Sequence, residues 1–405
     1  MDTASDPIFF NPLAEGYLEN PWPHLAELRA ADPVHHLITG QWGLFRYDDV
    51  FALLRNPELS VEIGNADQSV LARAEMLNAI DPEDQNTSIL NLDPPDHTRL
   101  RRLVSKAFTP RTVQALRPGI QRMVDAMLDQ MADEGISDVV DRLAFPLPFD
   151  VISEMLGMPA SDKEQIKEWS GAIVKTIDPI VTEEDLQAAA EADVLMSGLI
   201  AEIIEWKADN PGDDLLTAMI EAEDGGDRMT AKELRDQVGL LFIAGHETTV
   251  NLIGTGIYEL LRHPDQLALV RDADAMPPTA IDELLRWVSP VQNSRRIATS
   301  DFVLRDKHIP KGAFVLASLA SANHDPEFWG PDAETLNLHR DIAGQHVAFG
   351  SGIHYCLGSS LAKLEAEVAI GSFVRRFGQV ALAEEPVWNG RINLRGLATL
   401  RVDLR

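Results

Sequence analysis

Between Ala231 and His263 the chain runs for 33 residues without a proline, and its apolar side chains recur at helical spacing until Pro264 stops the run. Thr230 and Glu233 form a capping box that opens it. A helix of that length measures about 50 Å. Such a rod must cross the whole body of a globular protein, so the rest of the chain has to be arranged around it.

The remaining pattern is mostly helical. Tyr47 to Leu54 is periodic and stops at Asn56–Pro57, Ser161 with Glu164 opens another helix, and further helices start near Thr279 and Ser359. Strand-like pieces are few and lie towards the two ends: Val34 to Ile38, Trp42 to Tyr47, Phe302 to Leu304, Ala313 to Ala317 and Leu394 to Val402. No repeat, low-complexity block or Gly/Ser linker divides the 405 residues. The expected fold is therefore mostly α with small β-sheets, in one domain spanning residues 1–405. Asp325 to Ala348, rich in Pro, Gly, His and Asp, reads as a long ordered coil, and a coil that long in a compact domain is normally functional.

Charge excludes several partners. With 35 Lys and Arg against 64 Asp and Glu, the net charge is −29, and a nucleic-acid phosphate backbone would be repelled. The longest apolar run, Val238 to Gly245, is broken by His246 and Glu247, so no membrane span is expected. The start, MDTASDPIFF, lacks the basic-then-apolar order of a secretory signal, and a single cysteine fits a reducing cytoplasm. Against the acidic background, residues 99–122 carry Arg99, Arg101, Arg102, Lys106, Arg111, Arg117 and Arg122 and no acid. The run reads either as a solvated helix face or as a positive patch that steers an acidic partner.

The single cysteine, Cys356, sits in FGSGIHYCLG, Phe349 to Gly358, immediately ahead of an amphipathic helix. A helix N-terminus favours a thiolate, and the glycines allow tight turns and the close approach of a flat ligand. Such a thiolate suits the axial position of haem iron. A small buried hydrophobe and a nucleophile are the alternatives, although His354 two residues away does not make a triad. Zinc would need more Cys or His at ligand spacing. Phe349, Gly352, Cys356 and Gly358 fill every fixed place of F-x-x-G-x-x-x-C-x-G, and here the sequence resembles the cytochrome P-450 superfamily.

Three further constellations extend the resemblance. AGHETT, Ala244 to Thr249, lies mid-way along the long helix, where the Thr248 hydroxyl can bond the Ala244 carbonyl and Gly245 gives room beside it. By itself this is a tolerated Gly with two polar residues. By resemblance it is the oxygen-binding groove over a haem b, with Ala244 and Gly245 against the cofactor, Thr248 holding iron-bound oxygen and Glu247 relaying protons. Glu283 and Arg286, 73 and 70 residues before Cys356, match the superfamily's structural ExxR, with Arg340 as third member. Here Leu336–Asn337 replaces the aromatic–acid pair often found just upstream of that Arg. His97 and Arg101 share a helix face that could grip a carboxylate; by resemblance they, Arg296 and His354 bind haem propionates, with Arg295 adjacent to Arg296.

The resemblance runs from Asn20–Pro21 to Val402 and implies a haem-thiolate monooxygenase of the bacterial type, a monomer that consumes O2. With no reductase domain following, electrons are expected from a separate ferredoxin or flavodoxin docked on a basic face that includes Arg101, Arg102 and Lys106. Leu240, Ile243, Ala244, Val291 and Leu397 suggest an apolar pocket for a hydrophobic small molecule, and Asn86, Gln292 and Asn293 could supply hydrogen bonds. Two other uses of the same haem are a peroxygenase or isomerase and a non-catalytic sensor; the first usually lacks the acid–alcohol pair.

Overall fold

A computed structural model describes residues 8–68, 71, 86–105, 108–158, 163–178, 180–222 and 226–405. The central helix spans Ala231–Arg262, with both arms of the Thr230/Glu233 capping box formed. Every residue from Thr249 to Leu260 is buried, as expected of a helix surrounded by protein. It is flanked by helices Pro146–Met155, Glu183–Asp209, Ala280–Val288 and Ser359–Arg376. Gly256 permits the last contact: a Cβ there would stand 3.1 Å from the Ile370 side chain. Burying each large apolar side chain in this core stabilises by about 1.5–3 kcal/mol.

The main sheet has five strands in the spatial order Val34–His36, Trp42–Leu44, Phe314–Ser318, Asn293–Ala298 and Leu59–Ser60. Trp42–Leu44 runs parallel to Phe314–Ser318; the other neighbours are antiparallel. The sequence pattern contains the helices Tyr47–Arg55, Lys163–Lys175, Ala231–Arg262, Ala280–Val288 and Ser359–Arg376 and three strands of this sheet, but neither Leu59–Ser60 nor Asn293–Ala298. The latter strand starts with polar residues and has no pattern of its own. Pairing with Phe314–Ser318, on its far side from Trp42–Leu44, supplies its order. Ser161 of the other expected capping box lies outside the described residues. The coil from Asp325 to Ala348 is mostly irregular, with one helical turn at Pro326–Trp329 and another at Ala343–Gln345.

What orders that coil is one buried carboxylate. Glu283 and Arg286 are both fully buried on helix Ala280–Val288 and form a two-pronged pair, Nε–Oε2 and Nη2–Oε1 both 2.8 Å. Arg340 Nε lies 3.2 Å from both Glu283 oxygens. The remaining guanidinium hydrogens go to coil carbonyls: Arg286 donates to Asn323, Ala333 and Thr335, and Arg340 to Asp332 and Thr335. The amide of Asn337 also donates to Glu283 Oε1, 3.0 Å. Removing one partner of such a set strands the others without water. Glu283→Ala is therefore expected to cost about 3–5 kcal/mol, read as a lowered denaturant midpoint of the cofactor-loaded protein.

Candidate active site

The cysteine loop is a tight scaffold. Gly350 and Gly352 both have positive φ, +70° and +73°, and a Cβ on Gly352 would stand 2.7 Å from the Leu54 carbonyl oxygen, so only glycine fits. The Cys356 amide donates to the Phe349 carbonyl, 3.0 Å, which closes the loop. Gly358 caps helix Ser359–Arg376; its backbone is ordinary, and a Cβ there would meet no protein atom within 4 Å. Its smallness serves the open face beside Cys356 rather than internal packing. Burial pushes the Cys356 thiol up, while the Gly358 amide, the Arg101 guanidinium and the Ser359 amide pull it down. Those three groups favour a thiolate once a cation compensates the burial.

Around the loop the fold gathers positive groups and little to balance them. His97 and His354 face each other with ring centroids 4.3 Å apart. Both ring nitrogens of His97 are buried with no hydrogen-bond partner among the described residues. Arg101 Nη2 donates to the Tyr355 carbonyl, 2.5 Å. Arg296 Nη1 donates to Ser294 Oγ, 3.1 Å, and to the Arg295 carbonyl, 2.8 Å, and has no carboxylate partner among the described residues. Burial pushes Arg296 down to about 10, with Asp93 opposing. Burial, then His97, Arg296 and Arg101, push His354 down to about 3. Four basic groups sharing one neighbourhood, two of them incompletely satisfied, form a receptor for carboxylates. Strand alternation places Arg295 on the opposite face, exposed, with its guanidinium 5.0 Å from the Phe314 ring centroid.

The central helix contributes its one accessible stripe in this stretch. Leu240, Ile243, Ala244 and Thr248 are exposed or half-buried, whereas Phe242, His246, Glu247 and Thr249 are buried. Leu240 and Leu357, the neighbour of Cys356, pack against the same cluster of Ile89, Leu100 and Leu103. That cluster sets the stripe, the basic helix Asp96–Ser105 and the cysteine loop side by side. Thr248 Oγ1 donates to the Ala244 carbonyl, 3.1 Å, and Thr249 Oγ1 to the Gly245 carbonyl, 3.3 Å, two successive back-bonds that loosen the helix here.

Glu247 points to the other side. Its Oε2 accepts from Arg391 Nη1, 2.6 Å, and its Oε1 from Ser170 Oγ, 3.4 Å. His246 fixes its own tautomer by donating Nδ1–H to the Phe242 carbonyl, 2.8 Å, which leaves Nε2 as an acceptor 3.3 Å from Ser170 Oγ, so the single Ser170 hydrogen is shared between Nε2 and Glu247 Oε1. Arg391, Ser170 and Asp178 were invisible in the sequence, where they stand far from any motif.

A family model described as cytochrome P450 matches residues 36–394. The chain belongs to the cytochrome P450 family. It is 42% identical over 368 residues to cytochrome P450 107B1 of Saccharopolyspora erythraea, covering 89% of this chain and 88% of that one. It is 39% identical to cytochrome P450 monooxygenase PikC of Streptomyces venezuelae, covering 100% and 96%. The solved structure of the Bacillus subtilis bacillaene polyketide synthase cytochrome P450 PksS superposes with a TM-score of 0.88 at 35% identity, covering 98% and 100%. This P450 is thus an oxidoreductase that incorporates oxygen, and its family binds haem b through a cysteine thiolate. The donor set fits that group: a thiol flanked by amides, orphaned imidazole nitrogens and desolvated guanidinia for propionates, and an accessible stripe for a flat ring.

Several expectations need correction. The basic run is not a uniform free face. Folding brings Asp96, Asp227 and Glu233 to Arg99, and Glu367 to Arg117. Arg101 turns inward, Arg102 is exposed, and Lys106 lies outside the described residues. Gln292 is buried; its Nε2 donates to the Ser289 carbonyl, 2.5 Å, and its Oε1 has no partner among the described residues. Asn86 is exposed and its Oδ1 accepts from Ser88 N and Asn91 Nδ2 within its own turn. Asn293 is half-buried, with its backbone N–H given to Asn393 Oδ1; Val291 packs beside the sheet core, and Leu397 is buried in the main core. No described helix is long and apolar enough to cross a membrane.

Behind the cysteine, Glu365 is buried with Oε2 unpartnered, and burial pushes its carboxyl well above the usual range. The folded state keeps this proton while the unfolded state releases it above its ordinary value near 4.5. Stability from the neutral acid is present at low pH and lost as pH rises. Glu365→Gln should therefore become more stable than the unmodified protein between pH 5 and 8, by up to about 1.4 kcal/mol per pH unit in denaturant melts.

Proposed function

We propose that Cys356, the chain's one cysteine, ligates the iron of haem b, and that His97, Arg101, Arg296 and His354 receive its propionates. Phe349, Gly352 and Gly358 shape the cysteine side, and Ala244 and Gly245 face the opposite side. When bound, the haem supplies reductive activation of O2. The chain's own residues then orient substrate, exclude water and move protons. The Thr248 hydroxyl, bonded to Ala244 and accessible on the stripe, holds a proton beside the oxygen site; Glu247, buried behind it, passes protons from the Arg391 side. This acid–alcohol pair next to an accessible helix stripe is the observation that supports monooxygenation over peroxygenase, isomerase or sensor readings.

The substrate is an apolar small molecule bound along Leu240, Ile243 and Ala244, with the half-buried Val291 and Asn293 at the edges. A polyketide is the class to try first, since the relative PksS carries polyketide biosynthesis in its name. Electrons come from a separate ferredoxin or flavodoxin docking on the cysteine side, where Arg101 donates to the Tyr355 carbonyl and its neighbour Arg102 is exposed. Glu283, Arg286 and Arg340 hold the scaffold. The protein acts as a monomer in the cytoplasm.

The first measurement is the absorption spectrum of the reduced protein under carbon monoxide. A strongly red-shifted Soret band is expected, and Cys356→Ser should abolish the shift. Thr248→Ala and Glu247→Gln should each lower product formed per electron consumed by about tenfold or more. Substrate affinity, read from the spin-state change, should stay within about twofold in both. Unchanged coupling in both variants rejects the proton-relay roles. Reduction by an acidic ferredoxin should slow steeply between low and physiological salt, because charge steering is screened over about 10 Å at 0.1 M.

A further inference from the structure

Glu247 is reached by one arm of a loop that is tied down elsewhere. Residues 389–396 sit between the central helix and the end of helix Lys163–Lys175. At one end Arg391 Nη1 meets Glu247 Oε2 at 2.6 Å. One residue on, the amides of Ile392 and Asn393 donate to Asp178 Oδ2 and Oδ1, 3.2 and 2.7 Å. Asp178 is itself buried, and Lys175 Nζ lies 3.2 Å from its Oδ2. Farther along, Asn251 Nδ2 and Asn389 Nδ2 both donate to the Leu394 carbonyl, 3.3 and 2.9 Å. A Cβ on Gly396 would fall 1.9 Å from Asn251 Oδ1, so the loop lies flat on the helix at that point. Glu247 and Asn251 are one turn apart, so the loop spans a single helix face. On the same side, helix Lys163–Lys175 contributes Ser170 to both His246 and Glu247.

We propose that Arg391 is a positioning residue for Glu247, and that Asp178 couples it to the seating of helix Lys163–Lys175. Three charged groups, of which only Glu247 belongs to a sequence motif, then act as one latch: Asp178 fixes the loop backbone, the backbone fixes Arg391, and Arg391 holds the Glu247 carboxylate away from the accessible stripe. Oε1 meets Ser170 of the helix directly, and Oε2 is held by Arg391, whose loop is tied to the helix end through Asp178. Displacement that breaks the Asp178 contacts would loosen both holds and let the acid turn towards Thr248. This rests on the reading of Glu247 as the proton-passing group. It adds that the passage is controlled by a buried Asp on a different element.

The test uses the haem-loaded protein and the variants Arg391→Gln, Arg391→Lys, Asp178→Asn and Glu247→Gln, each checked for the red-shifted carbon monoxide band. Amide hydrogen exchange is read in two segments, residues 391–394 and residues 171–178. Arg391→Gln and Asp178→Asn should each raise exchange in both segments by about tenfold, with Arg391→Lys restoring most of the protection. The double variant Arg391→Gln/Asp178→Asn should exceed the worse single by no more than about twofold, because residues of one network are not additive. A second readout is the solvent-deuterium isotope effect on electron consumption with a plant-type ferredoxin and its reductase. It should change in Glu247→Gln, Arg391→Gln and Asp178→Asn alike.

Exchange confined to residues 391–394 in Arg391→Gln, or fully additive variants, overturns the latch. An isotope effect altered by Glu247→Gln but not by Arg391→Gln overturns the latch and leaves the role of Glu247 standing. An isotope effect unaltered by Glu247→Gln removes that role and the latch with it.

Discussion

The carboxylate of Glu283 is the constraint on which the active site depends. It lies fully buried and would be prohibitive alone, since an isolated charge costs several kcal/mol to take from water. Two arginines compensate it, and their remaining donors reach the carbonyls of Asn323, Asp332, Ala333 and Thr335. The coil that follows delivers Cys356 to its place. A stretch with little helix or strand of its own thereby gains fixed coordinates, because its backbone carbonyls have nowhere else to go.

The cysteine side reverses the electrostatics of the chain. The molecule carries a net charge of −29, yet His97, His354, Arg101 and Arg296 converge with only Asp93 to oppose them. Desolvation pushes Arg296 down to about 10 and His354 down to about 3, so Arg296 keeps its charge while His354 stays a neutral imidazole. A carboxylate placed beside them would stabilise the Arg296 cation and raise the His354 value. The same fold neutralises Arg99 and Arg117 with acids from other elements, so the basic run divides into an inward-facing cradle and structural ion pairs.

Along the central helix, side-chain direction sorts the motif into two functions. Ala244 and Thr248 lie on the accessible stripe, whereas His246 and Glu247 turn into protein. Adjacent residues on a helix are about 100° apart, so a catalytic acid next to a catalytic alcohol in sequence must approach from a different side. Here that side is occupied by Ser170 and the loop bearing Arg391. The acid's environment is set by Ser170, 77 residues before it, and Arg391, 144 residues after it.

The long helix, its capping box, the cysteine loop with its glycines and the Glu283–Arg286 pair were legible in the sequence, because each is a local pattern: a period, a cap, a turn or an i, i+3 spacing. The choice between Arg295 and Arg296 was not, since it needs the strand Asn293–Ala298, which exists only through its partner Phe314–Ser318. Nor could composition show that Gln292 turns inward or that Arg99 is already paired. The sequence by itself determined the chemistry available at each motif. The tertiary structure alone decided which charges meet, because the partners of Glu247, Arg340 and Cys356 come from distant segments whose encounter no local pattern encodes.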